Sequence, residues 1–365
     1  MNSRSISIAL AAALAASISV AAGCGSDSTT GATAATGSGG STSAGTSTGD
    51  GGATATTGTS TGVGGAAAVP EVVVGFDPSK GQFVEGLDIQ GGIAYVGALP
   101  TGQIVTVDLA KKTIADYGAT PSFPQNGGAL VGMTLGSDGA LYAALNVSAP
   151  GGPTTGIYRV APGGGAAKLF ASDPAMAFAN DLRFNAAGEL LVSDSITGTI
   201  FKVAKDGAVS KWLSDPLLTP DPTVCGEKTN FHLGVNGIVQ SGSAYYATNT
   251  DRAEILKIPV NADGSAGTPE VFVATDCAKL SGADGIALDA STGDLIVAVN
   301  YKNTLLKIAK DKTITTLATG EPLQSPASLY VDEKAGSLYV TCAAFAALAT
   351  DPTKAKPSLL KLQLH

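Results

Sequence analysis

Three observations predict an all-β fold, a six-bladed β-propeller. Short apolar runs alternate with polar residues at the period of strands. A unit of four such runs recurs every 43 to 56 residues beyond Pro70, the size of one four-stranded blade. One further run stands unpartnered ahead of the first unit.

First strands begin near Leu87, Met133, Leu182, Ile238, Ile286 and Leu329. Second strands follow after a turn, over 93–97, 140–144, 189–193, 243–248, 294–299 and 337–341. Third strands are the most alike, reading Gln103-Ile-Val-Thr-Val107, Gly156-Ile-Tyr-Arg-Val160, Thr199-Ile-Phe-Lys-Val203, Glu254-Ile-Leu-Lys-Ile258, Thr304-Leu-Leu-Lys-Ile308 and Ser358-Leu-Leu-Lys-Leu362. Fourth strands follow the first five of these, for example over 208–213 and 269–274, but no sixth precedes His365. The unpartnered run Glu71-Val-Val-Val-Gly-Phe76 supplies it: joined to the last blade, it closes the ring and removes an exposed sheet edge. A seven-bladed ring is the rival count, and no stretch remains long enough for the extra blade. The propeller is therefore expected over 70–365.

What precedes it has no core-forming pattern. Residues 1–23 read as an export signal of the lipoprotein type, with Arg4, an apolar run from Ile6 to Val20 and small residues ahead of Cys24. That pattern resembles the bacterial lipobox, in which the cysteine is acylated, so Cys24 is expected to carry lipid and to anchor an exported protein on the periplasmic or cell-surface side of a bacterial membrane. Residues 24–69 are almost wholly Gly, Ser, Thr and Ala and read as a disordered tether. Two Gly-x-Ser-x-Gly matches in it, at 45–49 and 58–62, lack the strand and helix that a nucleophile elbow needs.

The net charge is −8 and the folded part has no basic run, so nucleic acid is not an expected partner. Of the four cysteines, Cys225 and Cys277 fall in loops on one face of neighbouring blades and are expected to bond in an oxidising compartment. Cys342 reads as a buried small hydrophobe. Trp212 reads as fourth-strand packing, and Gly163-Gly164-Gly165 as a loop.

The chemistry lies in a register. Glu85-Gly86-Leu87, Asn180-Asp181-Leu182, Asn236-Gly237-Ile238 and Asp284-Gly285-Ile286 place an oxygen-bearing side chain just before four first strands, while blades 2 and 6 have Val131-Gly132 and Ala327-Ser328. Each Asn-Gly or Asp-Gly alone reads as a tight turn. Together, at the entry to strands that line a central channel, the four aim two carboxylates and two carboxamides at one axis. Such hard oxygens, without a cluster of His and Cys, favour Ca²⁺, with Mg²⁺ or another divalent cation as alternatives. Outer-shell candidates on the same face are Asn146, Asp194, Ser195, Asn249, Asp251 and Asn300, and His232 lies in a loop there as a possible base.

In this register the chain resembles, over about Glu71 to Leu364, the six-bladed calcium-dependent hydrolases that include gluconolactonase, the senescence marker protein and luciferin-regenerating enzyme. More distantly it resembles the diisopropylfluorophosphatase and paraoxonase propellers. The resemblance implies that Glu85, Asn180, Asn236 and Asp284 bind a catalytic calcium, and that Asp284 is also the nucleophile or general base. Where sugar lactonases of this family carry an arginine shortly before the third-blade Asn, this chain has Met176-Ala-Phe-Ala179, an apolar approach that suits a less polar ester or lactone. The expected function is calcium-dependent hydrolysis of a lactone or related ester, a small-molecule substrate. The alternative is a non-catalytic, surface-anchored binding propeller. A strictosidine-synthase-like propeller shares the architecture without this oxygen set.

Overall fold

The computed structural model describes residues 69–124, 127–226 and 231–365. The export signal expected over 1–23, the lipid expected on Cys24 and all of the 24–69 tether except Val69 lie outside them. The described chain forms six antiparallel sheets in a ring. Their inner strands are Val84–Gln90, Gly128–Leu135, Ala179–Phe184, Val235–Ser241, Ala283–Asp289 and Pro326–Asp332. The sixth sheet takes its outer strand, Glu71–Gly75, from ahead of the first blade, paired antiparallel with Ser358–Gln363.

Apolar alternation gives each sheet two covered faces, and six hydrophobic clusters lie between neighbouring blades rather than at one centre. Leu130, Met133 and Leu145 pack with Ile104 between blades 1 and 2. Leu329 and Leu338 pack with Ile296 and Leu305 between blades 5 and 6. Cys342 is fully buried in that second cluster. Trp212, on the outer strand of blade 3, donates its indole N–H to the Gly264 carbonyl and meets Tyr245 edge to face. The triple glycine loop ends in a two-residue strand, Gly165–Ala166, that extends blade 1 in parallel with Thr113–Ala119.

The inner strands begin about three residues earlier than the apolar pattern alone indicates. Each carries a break in pairing at the same place: between Val84 and Leu87, Leu130 and Met133, Ala179 and Leu182, Val235 and Ile238, Ala283 and Ile286, and Pro326 and Leu329. The oxygen-bearing residues thus lie inside the strands, at a bulge that bends the backbone and re-aims a side chain.

The glycine that follows serves a different purpose from a turn glycine. A Cβ on Gly86 would lie 2.3 Å from the Val131 carbonyl oxygen, one on Gly132 2.1 Å from that of Asn180, and one on Gly285 2.2 Å from that of Ala327. Glycine is required because one blade's backbone passes this close to the next. Gly132→Ala and Gly285→Ala are therefore expected to cost more than about 2 kcal/mol by overpacking. Gly75→Ala, with nothing within 4 Å of the added carbon, should stay within about 0.5 kcal/mol of the parent; urea unfolding midpoints compare the three.

Candidate functional site

The ring brings Glu85, Asn180, Asn236 and Asp284 to the wall of one small cavity of about 50 Å³. Three of the four are nearly inaccessible, at 8% for Glu85, 5% for Asn180 and 3% for Asn236; Asp284 opens onto the cavity and is otherwise enclosed.

Two belts of side chains fix these residues. The first occupies the position just past or at the end of the second strand in blades 2 to 5: Asn146, Ser195, Thr250 and Asn300. Each donates to a carbonyl on the inner strand of the next blade, to Ala179, Val235, Ala283 and Pro326 respectively. Having given their protons to backbone, the Ser195 and Thr250 hydroxyls accept from the side-chain Nδ2 of Asn180 and Asn236, each at 3.0 Å. That fixes which end of each amide is nitrogen and leaves both Oδ1 atoms for the cavity. Asn300 uses Nδ2 to hold Asp284 Oδ2 at 3.2 Å. In blade 2, where Val131 takes the place of a ligand, the matching oxygen of Asn146 is buried without a partner.

The second belt closes the bulges. Ser193, Thr248 and Thr341 accept from the backbone N–H of Asp181, Gly237 and Ser328, groups that the broken pairing would otherwise strand. The same hydroxyls donate to the carbonyls of Asn236, Asp284 and Glu85 in the following blade.

Charge in the site is unbalanced. Burial raises the Glu85 carboxyl well above the usual carboxylate range, and the nearby charges of Asp284 and Asp181 raise it further. Burial likewise pushes Asp284 up to about 7, against the opposing hydrogen bonds of Asn300 and Asn236, and Asp181 adds to the rise. Asp181 is itself raised by burial, an effect countered by Arg183, whose Nη1 stands 3.3 Å from Asp181 Oδ1.

The remaining candidates divide. Of His232, Asp194, Asn249 and Asn300, only Asn300 touches a ligand-register side chain. Asp194 faces the loop instead: Oδ2 accepts from the backbone N–H of Ala177 and Phe178, and Oδ1 from those of Ile196 and Thr197. Asn249 ties down the preceding loop through Leu217 and Thr219. Both are drawn off because their side chains lie beside loop groups that need partners. His232 sits at the rim with Nδ1 3.3 Å from Asp251 Oδ2, without the alignment of a hydrogen bond, and is not among the residues lining the cavity. Cys225 and Cys277 form a disulfide. Of the expected apolar approach, Phe178 lines the cavity while Met176 is buried in the cluster between blades 2 and 3.

Sequence reasoning passed over Thr250 and the second belt, although the column of Asn146, Ser195, Thr250 and Asn300 is visible once second-strand ends are aligned. It also missed Leu99, Phe231, Leu233, Tyr301 and Phe345, which line the cavity from four different segments.

Among the described residues, no group of three or more His, Cys, Asp or Glu side chains is arranged to hold a metal ion. The donor set here is of another composition, two carboxylates with two oriented carboxamide oxygens. That set fits a hard divalent cation, which would offset two carboxylates that have no cationic partner among the described residues of the cavity wall.

Six blades and this oxygen-lined axial cavity define a gluconolactonase-like propeller. Residues 123–344 match the model of the SMP-30/Gluconolactonase/LRE-like region, and the chain belongs to that family. Among solved structures, regucalcin from Agrobacterium tumefaciens, a calcium-binding protein, shares 20% identity over 82% of this chain and 94% of its own, with a TM-score of 0.59. A luciferin-regenerating enzyme shares 15% identity over 80% of this chain and 94% of its own, also with a TM-score of 0.59. The PQQ-bound aldose sugar dehydrogenase of Streptomyces coelicolor, at 15% identity over 82% of this chain and 98% of its own, reaches a TM-score of 0.55. These likenesses establish the fold, which serves unrelated chemistries. A comparison with curated protein sequences found no match.

The raised carboxyls set the pH dependence of the metal-free protein. Asp284 takes its proton at about 7 when folded and near its ordinary 3.8 when unfolded, so between those values the folded state binds more protons and stability falls as pH rises. In chelator, the thermal midpoint is expected to drop from pH 5 to pH 8. Asp284→Asn should flatten that slope and recover roughly 2–4 kcal/mol at pH 8, read by unfolding at both pH values.

Proposed function

We propose that this protein is a divalent-cation-dependent hydrolase, calcium being the first choice, acting on a lactone or related ester. Glu85, Asn180, Asn236 and Asp284 would hold the cation. The observation that carries the reading is the pairing of two enclosed carboxylates with two amides whose nitrogens are tied back. A site that gathers like charge and turns four oxygens inward is destabilising unless a cation occupies it.

The cation, when bound, supplies positive charge that polarises the substrate carbonyl and offsets the charge developing on its oxygen. Asn300 fixes one oxygen of the Asp284 carboxylate, and that carboxylate would accept a proton from an attacking water as general base. The Ser195 and Thr250 hydroxyls keep the two carboxamides from rotating. The apolar wall limits water at the reacting carbon.

Export and anchoring through a lipid on Cys24 belong to the same proposal. The Cys225–Cys277 bond accords with an oxidising compartment. The anchor would hold the propeller at a membrane surface without any role for nucleic acid.

Calcium should raise the thermal midpoint of the wild type and do so more at pH 8 than at pH 5, because binding displaces protons from the two carboxyls. Glu85→Gln and Asp284→Asn should lose that response. Turnover of a lactone panel should stop in chelator and fall by about 10² to 10⁴ in Asp284→Asn. Calcium binding with no turnover of any lactone or ester would sink the hydrolase in favour of a binding propeller. A gain-of-function variant tests the geometry from the other side. Val131→Asn places an amide whose Nδ2 can donate to the orphaned Asn146 oxygen, turning a fifth oxygen toward the axis, and is expected to tighten calcium binding about tenfold in titrations followed by calorimetry.

A further inference from the structure

Above the ring of oxygens, the cavity wall is apolar and comes from every blade. Leu99 follows the second strand of blade 1 and Val131 lies at the bulge of blade 2. Phe178 and Phe231 come from the loops entering blades 3 and 4, Tyr301 follows the second strand of blade 5, and Phe345 opens the short helix Phe345–Thr350 of blade 6.

These side chains are held in place. The backbone N–H of Phe178 is pinned at 2.9 Å by the buried Asp194 carboxylate. The Phe178 and Phe231 rings meet edge to face with centroids 5.1 Å apart. Gly282, at φ +82°, leaves room for the Tyr301 ring, whose Cγ a Cβ there would approach to 2.4 Å.

The polar complement is sparse. None of the described residues lining the cavity is Lys, Arg or His. Arg183 lies at the far end of the inner strands, where it lines a separate opening with Asp88 and Tyr330. Arg252 is spent on the Thr219 carbonyl and Asp221. Thr250, Asn300 and the amide nitrogens of Asn180 and Asn236 are likewise committed within the protein. Among the described residues a substrate carboxylate would find no cationic side chain and would face Glu85 and Asp284, and a ring bearing many hydroxyls would bury groups with few partners.

From this we propose that the substrate is an uncharged lactone or ester with a hydrophobic alkyl or aryl substituent seated on the Phe178–Phe231–Tyr301–Phe345 wall, and that polyhydroxylated or carboxylated lactones are discriminated against. This rests on the hydrolase reading for the reacting carbonyl, whereas the apolar wall stands independently of it.

The test uses calcium-loaded protein and δ-lactones with alkyl substituents of increasing length, alongside gluconolactone and a carboxylate-bearing δ-lactone. In parallel, unreactive 2-alkylcyclohexanones are titrated by calorimetry. We expect kcat/KM and ketone affinity both to rise about fourfold per methylene over the first few methylenes, with gluconolactone and the carboxylated lactone at least tenfold below the unsubstituted ring. Phe178→Ala and Phe345→Ala, on separate segments, should each roughly halve the logarithmic slope against chain length. Gluconolactone turned over as well as the alkyl lactones, or ketone affinity flat with chain length, overturns the inference and leaves the hydrolase reading intact. A rising ketone affinity without turnover of any lactone or ester sustains the apolar ligand wall and overturns the hydrolase.

Discussion

Backbone meeting backbone around the axis is the constraint on which the site depends. Six inner strands converge so closely that the four glycines following the ligand register, Gly86, Gly132, Gly237 and Gly285, leave no room for a methyl group against the next blade. Such an approach strands N–H and C=O groups wherever the bulge breaks the ladder. Ser193, Thr248 and Thr341 resolve this by accepting from their own blade and donating to the next. The blade interface and the placement of the ligand residue are thus one hydrogen-bond arrangement.

That coupling explains how so polar a channel persists beside the apolar clusters that lie between the blades. The amides and hydroxyls of the first belt are nearly all paired, and the charges of Glu85 and Asp284 are left as the uncompensated element. Blade 2 shows the same logic in the breach. With Val131 in the ligand position, Asn146 keeps its bond to the Ala179 carbonyl but has an oxygen with nothing to hold.

Blade number, strand order and the pairing of Glu71–Gly75 with the last blade were legible because each depends on local alternation repeated along the chain. The column of Glu85, Asn180, Asn236 and Asp284 was legible for the same reason. The bulge was not, since it is a property of backbone pairing and no residue type announces it. Nor were the cross-blade hydroxyls, whose partners lie far away in the chain: Thr248 reaches a carbonyl 36 residues on, and Thr341 one 256 residues back. Asp194 and Asn249 looked like outer-shell groups because they share a face with the cavity, yet short Asx side chains beside loop N–H and C=O groups serve those first. Apart from Phe178, the apolar wall was not legible, because most of its members are scattered over loops and one short helix, where periodicity carries no information.

The bond from Thr341 to the Glu85 carbonyl has a consequence for how the protein matures. It joins the last blade to the first, so Glu85 reaches its final position only when the ring shuts. A chain with five blades assembled and the sixth still open has no complete ligand set, and its facing carboxylates have not yet been forced together. Electrostatic crowding of the two carboxylates thus depends on ring closure. Closure over so long a sequence separation carries a loop-closure cost, and the two enclosed carboxyls add to it unless their charge is neutralised.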